Sequence, residues 1–446
     1  MIFLLKYLFD RQQNRYCSLH KMSIQQHEKS QCDRGHSFSM LRIKSFLLGA
    51  AMCAFALPVN AGVERDQAKR IHDRLAGVPP SETVLDQMEA VITTPTGSDP
   101  GPIEAAYIAM QNPAFYNVTL KNIAAPWTNR DQNIFVPLND YIATYIGLVR
   151  DSDDLRKILY DDLLYVGNVG PSYSNSNNNH YQELEDNNID LGAVDGFGVG
   201  VNFVAMPQSD PSVTGLESSA TAGIMTSRAA SEAFFIDGTN RAMFRYTVLN
   251  HLCYDMEQLR DTARPADRIR QDISRSPGGD SRLFFNGCVG CHSGMDPFAQ
   301  AFAYYDFDNG SLTYNDINDE DPVTGTRVNA KYHINATTFP PGYVTPDDRW
   351  DNFWREGANK KLIGWDTNGE GLDGFGNGAK SLGRELANTE AFARCHVQHA
   401  FKASCLRDPK DSSDIAIIDS IVSSFKSNNY NLKRVFAETA SYCSSN

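Results

Sequence analysis

Residues 286–310 read NGCVGCHSGMDPFAQAFAYYDFDNG. Cys288 and Cys291 are separated by two residues, and His292 follows at once. Thiols at this spacing can add across the two vinyl groups on one edge of a porphyrin while the adjacent imidazole reaches the iron from one face. The spacing therefore predicts one covalent haem c held by Cys288, Cys291 and His292, with His292 as the metal ligand. Zinc competes for the same residue types, but a structural zinc site needs four ligands at short spacing. The nearest further donors, Cys395, His396 and His399, lie more than 100 residues away. A redox disulfide between Cys288 and Cys291 is a third use of the pair, although no strand-turn-helix redox context precedes it.

The iron's other face is an open question. No methionine follows Met295, and Met295 stands only three residues beyond His292, which assigns it to packing on the proximal side. His333, in NAKYHINATTF and 41 residues downstream of His292, is the first choice as distal ligand. His396 and His399 lie one helical turn apart beside Cys395, and His251 and Met243 lie upstream on a helix expected to pack near the haem. An iron with no second protein ligand remains the other outcome, and it would permit peroxide or gas chemistry where two protein ligands imply electron transfer.

Covalent haem of this type is attached after export, and the chain begins accordingly. MLRIKSFLLGAAMCAFALPVNA, from Met40, has basic residues, a short apolar run and small residues before a cleavage point near Ala61. The run is too short to span a bilayer, which takes about 20 apolar residues. Cys53 inside it raises a lipoprotein reading, which Met52 before it fits poorly, and Met22 or Met40 competes with Met1 as the start. Residues 1–61 hold eight Lys/Arg and three Asp/Glu, leaving 33 basic against 51 acidic residues and a net charge of −18 for the mature chain. Such a surface repels phosphate backbones, so nucleic acid is not an expected partner; it would favour encounter with a basic redox partner, and a solvated acidic surface with no partner is the commoner explanation. Six cysteines survive cleavage. With Cys288 and Cys291 on a haem, Cys253, Cys395, Cys405 and Cys443 are left to pair in an oxidising compartment, and Cys405 with Cys443 is the favoured pair.

The elements that must position the motif read as mainly α. Residues 62–170 form a helical module: Gly77 and Pro79-Pro80 break its first amphipathic stretch, Ser81 caps the next, and Leu155, Ile158, Leu159 and Leu163 share one helical face. Residues 171–215 are rich in Asn, Ser and Gly and read as a loop or insertion, with His180 exposed in it. Residues 216–345 contain the haem motif, preceded after Asp237-Gly238-Thr239 by a helix with Phe244, Val248 and Leu252 at spacing four. Residues 346–446 form a C-terminal helical module in which Ile418, Ile421, Val422 and Phe425 make an apolar stripe. DTNGEGLDGFGN from Asp366 has a calcium-loop flavour, but Asp373 and Asn377 stand where an apolar residue and a glutamate belong, so it reads as a solvated turn, as does the acidic stretch after Tyr305.

The segment CVGCHSGMDPFAQAFAYYDFD resembles the haem segment of the planctomycete-type cytochrome c families, exported bacterial proteins in which C-x-x-C-H is followed by an apolar residue, Asp-Pro and an aromatic-Asp pair. Cys288, Cys291, His292, Met295, Asp296, Pro297, Phe298, Tyr305 and Asp306 carry the likeness, which extends over residues 220–446 and loosely over 62–170. Ala299-Gln300 departs from the usual Gly-Phe. The resemblance implies a multi-helical, cytochrome c-like haem region flanked by helical modules in a periplasmic protein. Motif and resemblance together point to one-electron transfer with a redox partner in the periplasm. Two alternatives are a haem oxidoreductase with an open axial site, peroxidase-like, and a binding protein in which the haem is a structural staple.

Overall fold

A computed structural model describes residues 62–193, 203–236, 238–322 and 324–445. The expected export signal, with Cys53, the cleavage point near Ala61 and the candidate starts, lies outside these residues, as does Asp237. The expected mainly α architecture is what the structure has.

Helices α1 (Val63–Ala76), α2 (Glu82–Thr93) and α3 (Gly101–Ala109) open the described chain. Gly77 closes α1 at φ 71°, a left-handed position that a side chain would resist. Ser81 caps α2 by accepting the Val84 amide. Helix α4 (Asp140–Arg150) is buried along its whole length, because its neighbours wrap every face. Leu155, Ile158, Leu159 and Leu163 are all buried as expected, yet not as one α-helical face. Leu155, Ile158 and Leu159 belong to a 3-10 turn, Leu155–Leu159, and Leu163 stands just before strand β1 (Leu164–Gly167). The cause is local: Asp154 accepts the Arg156 amide, and short acidic side chains that bind the backbone favour turns over continued helix.

The Asn-rich stretch departs from the loop expectation. It contains helix α5 (Asn179–Asp186) and strand β2 (Phe203–Met206), the latter paired antiparallel with β1. His180 is buried there rather than exposed: Gly167 donates its amide to Nε2 at 3.0 Å, so Nδ1–H donates to the Pro171 carbonyl at 2.8 Å. His180 thus braces β1 against the turn after it.

Helix α6 (Arg228–Phe234) precedes α7 (Arg241–Leu252), in which Phe244, Val248 and Leu252 are buried as their spacing predicts. Helix α8 (Ser281–Gly287) leads through Cys288 into α9 (Val289–Ala299), which carries the motif. A hairpin follows, β3 (Tyr305–Asp308) with β4 (Ser311–Tyr314), turned by Asn309-Gly310 at positive φ (51° and 82°). Strand β5 (Arg349–Asp351) pairs with β6 (Phe375–Asn377). Asn377 is therefore a strand residue, and among the described residues the stretch from Asp366 gathers no metal-ready cluster. Helices α10 (Gly378–Ala387), α11 (Glu390–Cys405), α12 (Ser412–Ser427) and α13 (Leu432–Ser444) end the described chain. The stripe Ile418, Ile421, Val422 and Phe425 is buried in α12.

Helix α13 packs on α1 and α3, and α11 packs on α7, α12 and α13, so segments far apart in sequence share one core. The motif helix is anchored to that core by Phe298. Its ring stacks on Phe244 (centroids 4.6 Å apart) and lies against Trp350, Trp354 and Trp365, three of the chain's four tryptophans. Gly294, one turn earlier, lets the Trp354 indole touch the helix backbone: a Cβ there would sit 2.1 Å from Nε1. Gly294→Ala should therefore destabilise the protein by about 1–3 kcal/mol through overpacking. Denaturant unfolding provides the measurement, with Gly287→Ala, where a Cβ meets nothing within 4 Å, leaving the midpoint unchanged or higher. Equal midpoints for the two variants would contradict this account of the anchor.

Candidate functional site

Cys288 is the N-cap of α9 and Cys291 lies in its first turn. These two are the free cysteines among the described residues, and both are partly exposed. The other four pair as Cys405 with Cys443, the favoured pair, and Cys253 with Cys395, with Cα separations of 5.1 Å and 5.3 Å. Cys288 packs at the edge of a small cluster formed by Ile269, Phe284 and Val289, while Cys291 packs against the main core. The segment 253–262 supports the turn from one side. The Cys291 thiol donates to the Met256 carbonyl at 3.4 Å, Asp261 donates its amide to Gly290, and Ser293 donates its hydroxyl back to Asp261. Burial raises the Cys291 thiol above the usual range, so it is a neutral thiol at neutral pH. Leu283 and Phe285, on the helix just before Cys288, are each 56 % exposed, an apolar surface beside the thiols of the kind a porphyrin covers.

His292 and Asp296 lie one turn apart on α9, with Nδ1 3.0 Å from Oδ1. Asp296 is fully buried. Burial alone would raise its pKa, but the charge of Arg241 and the hydrogen bonds from His292 and Arg241 outweigh this and hold the carboxyl well below the usual range. An ionised carboxylate only accepts, so the proton of this bond sits on Nδ1. That choice leaves the Nε2 lone pair for a metal, the arrangement found where a carboxylate orients a ligating histidine. Arg241 donates Nε–H to Asp296 at 2.7 Å and grips Asp272 through both terminal nitrogens at 2.9 and 3.1 Å. Arg270 pairs with Asp272 in turn at 3.3 Å. The donor set of two free thiols, one oriented imidazole and a flanking apolar surface fits a covalent haem.

Met295 is buried in the main core, in keeping with a packing role. Met243 is buried in the core. His251, at the far end of α7 from Arg241, shares Nε2 with the Tyr141 hydroxyl at 2.7 Å and Nδ1 with His396 Nε2 at 3.2 Å. His399 lies against the Cys253–Cys395 disulfide, its Nε2 3.4 Å from Cys395 Sγ and 3.6 Å from Cys253 Sγ. His333 follows a 3-10 turn, Ala330–Tyr332, that Tyr332 ties to the Ala299 carbonyl and Asn329 to Ala303. That contact is at the other end of α9, seven residues and about 10 Å along the axis from His292. His333 Nε2 is buried without a partner. Sequence reasoning matched Asp296 to a pattern without a role and did not single out Arg241 or Asp272. The readable signal was the i, i+4 spacing of His292 and Asp296 on one helix.

The histidine group makes a pH prediction. Burial lowers His251 to about 3 and His399 to about 4, and drives His396 well below its ordinary value. In the unfolded chain each titrates near 6.5. Below that pH the unfolded state binds more protons than the folded one, so stability is full above about 6.5 and falls as pH drops towards 4, by about 1 kcal/mol per pH unit for each histidine. Denaturant unfolding at pH 7, 6 and 5 checks this, and His251→Phe should flatten the slope; a pH-independent stability would refute it. No family model, no curated protein and no solved structure matches the chain.

Proposed function

We propose that this chain is a periplasmic single-haem c-type cytochrome, with thioethers from Cys288 and Cys291 and His292 as proximal ligand, passing single electrons to and from a partner protein. The observation that carries the reading is the pair of free thiols beside an imidazole whose tautomer is fixed by a buried carboxylate. When bound, the haem supplies an iron that cycles between two oxidation states. The chain's residues tune that cycle. Asp296 draws on the Nδ1 proton of His292 and strengthens Nε2 as a donor, which favours the oxidised iron, while Arg241 takes up part of the carboxylate's charge. The acidic net charge favours a basic partner. Among the described residues no helix is long and apolar enough to cross a membrane.

A second reading, a haem oxidoreductase with an open axial site, is favoured by one observation: His251 and His396 bond each other, and His399 faces a disulfide. Carbon monoxide separates the two readings. A reduced spectrum unmoved by the gas supports electron transfer, and ready binding supports the open site.

Three outcomes test the shared premise. Protein matured in a host that attaches haem should stain for haem after denaturing electrophoresis, and the double variant Cys288→Ala, Cys291→Ala should not; an undiminished stain in that variant rejects the assignment. Asp296→Asn should keep the stain yet raise the reduction potential by tens of millivolts, about 59 mV corresponding to a tenfold change in the balance of the two iron states. A potential that does not move would remove Asp296 from the proximal role.

A further inference from the structure

Away from the motif, three donor atoms meet at the junction of α7 and α11. Cys253 closes α7, Cys395 is on α11, and His399 is one turn further along α11. His399 Nε2 lies 3.4 Å from Cys395 Sγ and 3.6 Å from Cys253 Sγ. With metal bonds of about 2.3 Å to sulphur and about 2.0 Å to nitrogen, the S···N edge of a tetrahedral zinc site is about 3.5 Å. Both measured edges match it. The backbone carbonyl of Asn250 lies 3.2 Å from the same Nε2 and 3.6 Å from Cys395 Sγ, at a fourth corner that it or a water molecule can fill. Trp127 packs against the His399 ring at a tilt, with centroids 5.0 Å apart and 51° between the planes, and helps to hold it in this orientation. The elements presenting the donors are packed on one another and do not depend on the disulfide alone.

We propose that Cys253, Cys395 and His399 form a redox-gated site for a thiophilic divalent cation, zinc being the type, closed by the disulfide and opened by its reduction. A dithiol reductant opens it: the S–S bond takes up two electrons and two protons to give two thiols, and the dithiol becomes a disulfide. Cys253, the more exposed of the two sulphur centres, is the one open to attack, since Cys395 is 1 % exposed. The sulphurs then part to about 3.8 Å, the S···S edge of the tetrahedron. Metal entry releases the two thiol protons to solvent, and the proton of His399 moves from Nε2 to Nδ1 so that the lone pair faces the cation. The inference does not depend on the haem reading.

Native mass spectrometry of the full chain, which counts bound zinc whether or not haem is present, provides the test. The oxidised protein should bind none at this site. After anaerobic treatment with a phosphine it should bind one zinc ion, with X-ray absorption reporting two sulphur neighbours and one imidazole. Cys253→Ser and Cys395→Ser should lose the ion, His399→Ala should bind at least tenfold more weakly in dialysis competition, and the double variant Cys405→Ser, Cys443→Ser should keep it. The proposal is overturned if zinc stays in Cys253→Ser, if the oxidised chain already carries the ion, or if the phosphine leaves the bond intact. Loss of helical circular dichroism on reduction overturns it too, because the disulfide would then be a staple.

Discussion

Asp296 has no exposure to solvent, and a carboxylate in that position is tolerable only because Arg241 supplies opposite charge and Arg241 and His292 both supply donors on its Oδ1 side. An uncompensated charge at this depth costs several kcal/mol, so the three groups stand or fall together. Much of the surrounding architecture follows from keeping Arg241 in reach. It begins α7, and α7 is held against α9 by the stack of Phe244 on Phe298. Its far side is steadied by Asp272, which Arg270 holds in turn, and the Arg270 guanidinium lies over the Tyr332 ring at 4.4 Å. The imidazole at the surface is thus oriented by a chain of charges that reaches into the interior.

Helix α7 serves two chemistries with its two ends. Arg241 at the start addresses the motif helix, and His251 with Cys253 at the finish addresses α11. Twelve residues at 1.5 Å each separate the ends by about 18 Å, so the three histidines gathered around α11 sit apart from Arg241. Their mutual contacts exclude charge: three rings share one buried space with Trp127, Tyr141 and Phe392, and a proton on any of them would lack a counter-ion.

The parts that were legible in sequence were those whose signal is periodic or locally complete. Phe244, Val248 and Leu252 marked a buried helix face and Ser81 marked a cap, whereas Asn309-Gly310, in a stretch that reads as a solvated turn, closes the β3–β4 hairpin. The motif itself is a spacing, and spacing is visible. The Asn-rich stretch misled because composition was averaged over it, hiding His180, Tyr181 and Leu184, which are buried on one face of α5. The run around Leu155 misled because a helical pattern of leucines does not reveal that acidic side chains have already turned the backbone. Partners drawn from distant segments left no mark at all. Arg241 meets Asp272 and Asp296 across 31 and 55 residues, and His399 meets Cys253 across 146. Such pairs are decided by packing rather than by pattern.

The pairing of Cys253 with Cys395 spans 142 residues, whereas Cys288 lies only 35 residues from Cys253. The chain is made from its N-terminus, so Cys253 emerges well before its true partner and meets two other thiols on the way. Loop closure favours the shorter, wrong bond by about 1 kcal/mol. The correct connectivity therefore depends on the order of biosynthetic events. Either Cys288 and Cys291 are withdrawn from thiol exchange before α11 arrives, or the first bond formed must be broken and remade once the two helices have docked.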